Sequence, residues 1–120
     1  MTSEATIQAL ILKFLRTLGP ACWVIKAAVC NERGVPDILC CYRGRFVGLE
    51  VKTAKGRISG PQRVQNERIA AAGGRAVVVR SVAAVRAVLG TIDRKVDDAE
   101  TNQERYRTQG SGPGKSRAAH

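Results

Sequence analysis

The sequence predicts a mixed α/β fold, with its elements in the order helix, three strands, helix, strand and helix. Three observations support this class. Residues 4–18 carry apolar side chains at three- and four-residue spacing, which indicates an amphipathic helix. Three short apolar segments separated by turns follow, which favours antiparallel strands. A second helical pattern then leads into the apolar run 77–79, and a strand–helix–strand step implies a parallel pair with a right-handed crossover.

The first helix is predicted over residues 4–18, with Thr2 or Ser3 as its cap and Gly19-Pro20 ending it. The next three elements are strands. Their predicted ranges are 22–30, 37–42 and 46–52. Pro36 is acceptable at the start of the second strand. A tight turn at residues 43–45 joins the second strand to the third.

The second half of the chain begins with a basic, glycine-containing loop at residues 53–60. A helix follows from about Pro61, capped by Ser59 or Gly60, and Gly73-Gly74 stops it. After a short strand at 75–80, Ser81 caps a third helix that is predicted to end near Ile92. The remaining residues, 93–120, lack apolar periodicity and are predicted to form a tail without regular structure.

The charge of the chain favours an acidic partner. The 120 residues include 20 Lys and Arg against 10 Asp and Glu, for a formal net charge of +10. Residues 1–92 hold 14 of these basic residues but only five of the acids. Nucleic acid is the favoured partner, although an anionic membrane or solubility alone would also account for the charge. No apolar run approaches the roughly 20 residues of a membrane helix, and no signal peptide is recognisable. These features predict an intracellular, cytoplasmic protein.

Cysteine and histidine leave few catalytic options. The four cysteines form no C-x-x-C pair, so free and mostly buried thiols are expected rather than a zinc site. The single histidine, His120, is the last residue. Catalysis would therefore depend on carboxylates, lysine or hydroxyl groups.

One set of polar residues in the predicted hairpin points to metal chemistry. Asp37 opens the second strand, while Glu50 and Lys52 are two residues apart on the third, so their side chains share a face. An antiparallel register can bring Asp37 beside Glu50. Two carboxylates without histidine form a hard oxygen site that suits Mg²⁺ or Mn²⁺. Lys52 can then orient or deprotonate the attacking water.

Each of these residues also has a plainer interpretation. Glu50 and Lys52 can form an exposed ion pair of little energetic value, and Asp37 can simply end a turn. Glu4 lies in the first turn of the first helix, where the helix dipole favours an acid. On spacing alone this is the better interpretation of Glu4. The ordered set of Asp37, Glu50 and Lys52, followed by a basic loop and a helix start, favours a site.

The same residues resemble a known family. The segments Gly34-Val35-Pro36-Asp37, Leu49-Glu50-Val51-Lys52 and Gly56-Arg57-Ile58-Ser59-x-x-Gln62 look like the motifs of VRR-NUC (virus-type replication-repair nuclease) domains. This family belongs to the PD-(D/E)xK nuclease superfamily. Its restriction-endonuclease-like core is an αβββαβ unit, a mixed β-sheet flanked by helices. The resemblance covers about residues 4–92, which implies a VRR-NUC-like nuclease domain at 1–92. Residues 93–120 match no part of the family and are expected to form a disordered tail.

The resemblance implies a role for each matching residue. Asp37 and Glu50 are similar to the metal-binding acids of the family, with the backbone carbonyl of Val51 as a further ligand. Lys52 matches the catalytic lysine. Gln62 matches the glutamine at the start of the helix after the hairpin and is counted with the catalytic residues. The implied cofactor is Mg²⁺, with Mn²⁺ able to substitute.

Residues around this centre receive roles as well. Glu4 matches the acid on the family's first helix, which revises the plainer interpretation and makes it a metal ligand acting through a water. Lys55, Arg57 and Arg63 flank the site and are expected to bind the DNA backbone. Such contacts give an affinity that depends on salt but not on sequence.

The predicted function is therefore a Mg²⁺-dependent endonuclease acting on branched DNA. Aromatic residues make up only 4% of the chain. Few side chains can therefore stack on the bases of a single strand, and recognition of DNA shape is expected. Stand-alone small members of the family look like junction-cleaving homodimers. The resemblance thus implies Holliday junction resolution in DNA repair by a homodimer. The apolar face of the first or third helix can supply its interface. A phage or viral origin is compatible with it.

Three alternatives stay open. The enzyme can instead cut flaps or another DNA structure. A non-catalytic DNA-binding module with a nuclease-like fold would account equally well for the charge, but would not need Asp37, Glu50 and Lys52 together. An RNA-binding protein is disfavoured by the scarcity of aromatic residues and by the acidic set.

Overall fold

The computed structural model describes residues 2–109, which form a four-stranded mixed sheet flanked by helices. The helices are α1 (Glu4–Arg16), α2 (Gly60–Ala71) and α3 (Val82–Gln109), and the strands are β1 (Cys22–Lys26), β2 (Ile38–Tyr42), β3 (Arg45–Val51) and β4 (Arg75–Val79). A short 3₁₀ turn, Gly19–Ala21, follows α1. The predicted α/β class and element order are confirmed.

The strands lie in the order β1-β2-β3-β4, antiparallel except for the last pair. In the β2–β3 pair, Ile38 is opposite Leu49. In the parallel β3–β4 pair, Val51 is opposite Val79. The start of β2 and the ends of β3 and β4 therefore meet at one end of the sheet, which we call the carboxyl end of β3.

All three helices begin at a serine whose side chain caps the first turn. Ser3 accepts from the backbone N–H of Thr6 at 3.1 Å, and Ser81 accepts from that of Ala84 at 3.1 Å. Ser59 forms a capping box with Gln62, in which each side chain bonds the backbone N–H of the other residue. The caps that the sequence suggested are thus present.

The main core lies on one face of the sheet, between β3 and the pair α1 and α3. Val47, Leu49 and Val51 of β3 point to this face and are at most 1% exposed. The apolar stripes of the two helices pack against them. Their buried members are Ile7, Ile11, Leu12 and Leu15 in α1, and Val85, Val88, Leu89 and Ile92 in α3. Most of both stripes therefore lies inside the protein, which leaves little of either helix face for the dimer interface that the sequence suggested.

β1 is shorter than predicted and ends at Lys26 instead of residue 30. The backbone N–H of Ala27 donates to the carbonyl of Asp37 at 2.8 Å, which is the last bond of that ladder. β2 begins at Ile38, so the residues after Ala27 have no strand to pair with. Val29 is accordingly 92% exposed.

The helix α3 continues to Gln109, so the prediction of a tail without regular structure is wrong for residues 93–109. The predicted domain boundary at residue 92 falls inside this helix. Asp93 accepts hydrogen bonds from the Tyr42 hydroxyl at 2.9 Å and from the Arg43 guanidinium at 2.8 Å, and Val96 packs against the core. The predicted tail from residue 110 onward lies outside the described residues.

Within residues 2–109, no helix combines the length and the apolar character needed to cross a lipid bilayer. The cysteines in this range are all free, as predicted. Cys22 and Cys40 are buried, whereas Cys30 is exposed. Burial raises the pKa of the Cys40 thiol to about 12, which keeps it protonated and unreactive at neutral pH.

Candidate metal-binding and catalytic site

The carboxyl end of β3 brings together two acids that the sequence analysis paired. Asp37 immediately precedes β2, and the register of that strand puts it level with Glu50 on β3. One oxygen of Asp37, Oδ2, accepts from the backbone N–H of Val51 at 2.8 Å. The Asp37 side chain thus extends the sheet by one bond at the point where β2 begins. The predicted juxtaposition of Asp37 and Glu50 is present.

Glu50 is a buried acid with one oxygen unsatisfied. The residue is only 1% exposed, in an otherwise apolar strand. Its Oε1 accepts from Gln62 Nε2 at 2.8 Å. Its Oε2 is buried and accepts no hydrogen bond among the described residues, while the Asp37 carboxyl lies close enough to share a proton with Glu50. A buried carboxylate oxygen that accepts no hydrogen bond is costly, so this oxygen can serve as a ligand for a cation or a water.

The pKa of the Glu50 carboxyl is raised to about 8, chiefly by burial and then by the hydrogen bond and the like charge of the neighbouring Asp37 carboxyl. The positive charge of Lys52 acts in the opposite direction, while Glu4 adds a smaller upward contribution. Burial, like charge and a hydrogen bond that only the protonated form can donate all disfavour an ionised carboxyl. A divalent cation between Asp37 and Glu50 would reverse both, because it favours the ionised form of each acid.

Gln62 connects the acid to the start of α2. Its Oε1 accepts from the backbone N–H of Ser59 at 2.8 Å as part of the capping box, and its Nε2 donates to Glu50. Because the capping bond fixes which way the amide points, the NH₂ group is directed at Glu50. The contact makes Gln62 a direct partner of the carboxylate.

The backbone of Val51 faces the same acid pair. Its N–H points to Asp37, and in an extended strand the N–H and C=O of one residue point to the same side. The Val51 carbonyl is therefore directed to the Asp37 side of β3. The backbone N–H of Lys52, the next residue, donates instead to the Val79 carbonyl on β4 at 3.1 Å, as the alternation requires.

This donor set fits Mg²⁺ or Mn²⁺. No group of three or more His, Cys, Asp and Glu side chains close enough to hold a metal occurs in residues 2–109. Side chains therefore supply two carboxylates, and the Val51 carbonyl can supply a third oxygen. Mg²⁺ typically takes one or two carboxylates and completes its shell with waters and substrate phosphates. Glu4, half-buried in the first turn of α1, is electrostatically coupled to Glu50 but belongs to no such group of three.

The basic residues predicted to bind DNA follow the residues of this centre closely along the chain. Lys55 and Arg57 lie in the loop after Lys52, and Arg63 lies in the first turn of α2, next to Gln62. All three side chains are exposed. A concave surface of about 500 Å³ is lined by Lys55, Arg57 and Arg80.

Arg80 is a residue that sequence reasoning missed. It follows β4 directly, and because β3 and β4 are parallel with Val51 opposite Val79, Arg80 is brought level with Lys52. The signal was present in the predicted strand–helix–strand step, since parallel strands end at the same edge of a sheet. To place Arg80 level with Lys52 one also needs the register of the two strands, which the sequence does not specify.

The backbone of Gly34 packs closely against the backbone of Pro61, in the first turn of α2. It has φ +81°, and a Cβ atom there would lie 2.2 Å from the carbonyl oxygen of Pro61. Gly44 has nearly the same φ, +83°, but open space around it. We expect Gly44→Ala to cost about 1 kcal/mol from backbone strain. Gly34→Ala should cost clearly more, because the backbone of Pro61 must also move.

Urea unfolding of the two alanine variants measures this difference. The larger loss of stability in Gly34→Ala would confirm that the approach of Gly34 to Pro61 is a packing requirement. Equal losses in the two variants would contradict it.

The fold and the paired acids define a class: an α/β domain of the nuclease-like, restriction-endonuclease type. No protein-family model and no curated protein matches the chain. Solved structures do. A structure described as a VRR_NUC domain is 26% identical, with a TM-score of 0.63 over 75% of this chain and 97% of its own. A second, described as a VRR_NUC domain protein, is 17% identical, with a TM-score of 0.58 over 76% and 88% of the two chains. The predicted resemblance is confirmed as a similarity: the chain shares its fold with solved VRR_NUC domains and is 26% identical to the first of these two.

Proposed function

We propose that the protein is a Mg²⁺-dependent endonuclease that hydrolyses phosphodiester bonds in branched DNA. The single observation that carries the proposal is the pair of acids Glu50 and Asp37, in which the Glu50 carboxyl is buried and lies within hydrogen-bonding reach of the Asp37 carboxyl. A purely structural domain gains nothing from this costly arrangement. A site that binds a divalent cation makes use of it.

The chain's own residues would share the work of hydrolysis. Asp37, Glu50 and the Val51 carbonyl would hold the cation, and Gln62 would keep the Glu50 carboxylate oriented. When bound, Mg²⁺ would neutralise charge developing on the scissile phosphate and make a water more acidic. Lys52, on the Glu50 face of the sheet, would orient the attacking water. Lys55, Arg57 and Arg63 would hold the neighbouring phosphates.

Recognition of DNA shape is the expected basis of substrate choice. The exposed basic groups beside the site are suited to phosphate contacts, which position a duplex without reading its sequence. A branch presents several duplex arms and so offers more phosphates to a small basic domain than one linear duplex does. A four-way junction is the preferred candidate, and a flap is the alternative.

Cleavage of four labelled substrates of matched sequence tests the proposal: a four-way junction, a flap, a linear duplex and a single strand. Each is incubated with Mg²⁺, Mn²⁺ or EDTA. We expect cleavage of the branched substrates in either metal and none in EDTA. Preferential cutting of the flap would support the alternative substrate. Binding without cutting in both metals would contradict the nuclease and favour a non-catalytic DNA-binding module.

Symmetric cutting of two strands by a one-site domain needs two copies, and we propose that they pair through β1. This strand is at the edge of the sheet, so its outer side has no partner strand among the described residues. Trp23 and Ile25 are 57% and 41% exposed on the face that carries Glu50. An apolar edge strand is a template for pairing with another strand, and two antiparallel copies of β1 satisfy a two-fold axis.

Analytical sedimentation of the Trp23→Lys variant tests this interface. Val64→Lys is the control, because Val64 is an apolar residue on α2 with a similar exposure, 52%. We expect the wild type and Val64→Lys to be dimers and Trp23→Lys to dissociate to monomers. A wild type that is monomeric at all concentrations, or a Trp23→Lys dimer of unchanged stability, would contradict pairing through β1.

A further inference from the structure

Arg80 holds the loop that follows Lys52. Its Nη1 donates to the backbone carbonyls of Thr53 and Gly56, the latter at 2.9 Å. The backbone N–H of Gly56 also donates to the Thr53 carbonyl, at 3.1 Å. One guanidinium nitrogen thus joins both ends of a tight turn to the end of β4.

The same turn packs against the side chain of Lys52. A Cβ atom on Gly56 would lie 3.2 Å from Lys52 Cβ and 3.3 Å from Lys52 Cδ. The backbone of the turn therefore lies directly against the aliphatic part of the lysine. Because Lys52 comes just after the end of β3, the sheet holds its backbone through a single bond to Val79. The turn beside it is the neighbour that lies against its side chain.

We propose that Arg80 is a positioning residue for Lys52, acting through the turn formed by residues 53–56. The inference rests on the proposed nuclease function, in which Lys52 acts on the attacking water. Its consequence is that loss of the Arg80 bonds lets the turn move away from Lys52. The Lys52 ammonium then samples positions outside the reacting geometry, and the chemical step slows. A displacement of about 1 Å at a reacting group can lower a rate by about 100-fold.

A competing role for Arg80 is simple attraction of DNA. It lines the same concave surface as Lys55 and Arg57, so its positive charge also contributes to phosphate binding. The two roles predict different kinetic effects. A lost phosphate contact weakens DNA binding and raises KM, while a mispositioned lysine lowers kcat at saturating DNA.

The experiment compares Arg80→Met, which removes both the charge and the bonds, with Arg80→Lys, which keeps the charge. A lysine ammonium lacks the rigid fork of arginine, so it does not reproduce the geometry of the two bonds. The control is Arg94→Met, since Arg94 is exposed and bonds Thr91 of its own helix. Salt dependence of DNA binding is measured for each variant along with kcat and KM.

We expect kcat to fall by about 10- to 100-fold in both Arg80 variants and to stay within about 2-fold in Arg94→Met. DNA affinity in Arg80→Lys should match the wild type. If the loss in Arg80→Met is confined to KM and Arg80→Lys restores full activity, Arg80 contributes charge alone and the proposal is overturned.

A readout without DNA separates this inference from the proposed function. Hydrogen exchange of the Gly56 amide reports the turn directly, because that amide donates to Thr53. We expect faster exchange at Gly56 in Arg80→Met, with the amides of β2 unchanged. Unchanged exchange at Gly56 overturns the proposal. If exchange increases but the wild type cuts no DNA, the anchoring of the turn stands and the proposed nuclease function fails.

Discussion

Replacement of Asp37 by asparagine is expected to lower the rate of DNA cleavage by about three orders of magnitude. The asparagine oxygen can still accept the Val51 N–H bond, so the end of the sheet should stay in place. The substitution removes one of the two negative charges that would hold the cation. Single-turnover cleavage of a four-way junction in Mg²⁺ measures the loss.

Asp98→Asn is the matched control, because Asp98 is exposed on α3. It makes the same chemical change at a distance from the acid pair. We expect its cleavage rate to equal that of the wild type. A rate for Asp37→Asn within 10-fold of the wild type, with Asp98→Asn unaffected, would rule out Asp37 as a metal-binding acid.

Replacement of Glu50 by glutamine is expected to abolish cleavage while making the metal-free protein more stable. Glutamine keeps the shape and can still accept from Gln62, but it carries no charge into the buried site. The gain should be on the order of a few kcal/mol near pH 8. A gain in stability together with a loss of function is typical of a site whose buried charge is unfavourable until its ligand binds.

The pH dependence of stability follows from the same pKa. In the folded protein the pKa of Glu50 is about 8, above its ordinary value of 4.5. Between these pH values the folded protein keeps the proton and the unfolded chain releases it. The Glu50 contribution is therefore fully present below about pH 4.5 and is lost as the pH rises through about 8.

Thermal unfolding from pH 5 to pH 8 with EDTA or Mg²⁺ measures this effect. As the pH rises in EDTA, we expect the Tm of the wild type to fall more steeply than the Tm of Glu50→Gln. At pH 8, Mg²⁺ should raise the Tm of the wild type but not the Tm of Glu50→Gln. Glu67→Gln, at an exposed position on α2, should behave as the wild type. Parallel curves of Tm against pH for the wild type and Glu50→Gln would contradict a buried Glu50 with a raised pKa that binds the metal.

The acid pair could be predicted from the sequence because it depends on local rules. Side chains two apart on a strand share a face, so Glu50 and Lys52 had to point the same way. The short turn at Arg43 and Gly44, both with positive φ, fixes the hairpin register that puts Asp37 level with Glu50. The caps of the helices are equally local, which is why Ser59 could be identified.

The features that were missed depend on tertiary contacts. The register of β3 against β4 is set by packing across a long crossover, so the approach of Arg80 to Lys52 had no local signal. The extension of α3 was missed because residues after Ile92 are mostly polar. Arg43 stabilises that part of the helix from another element, through ion pairs with Asp93 and Asp97 at 2.8 and 3.0 Å.

The most direct measurement is cleavage of a labelled four-way junction in Mg²⁺ and in EDTA by the wild type and by Lys52→Met. The control is Lys95→Met, since Lys95 is an exposed lysine on α3. The acid pair and Lys52 together predict cutting by the wild type and Lys95→Met in Mg²⁺ alone, with Lys52→Met inactive in both conditions. Cutting that persists in EDTA, or an active Lys52→Met, would contradict a metal-dependent nuclease centred on Asp37, Glu50 and Lys52.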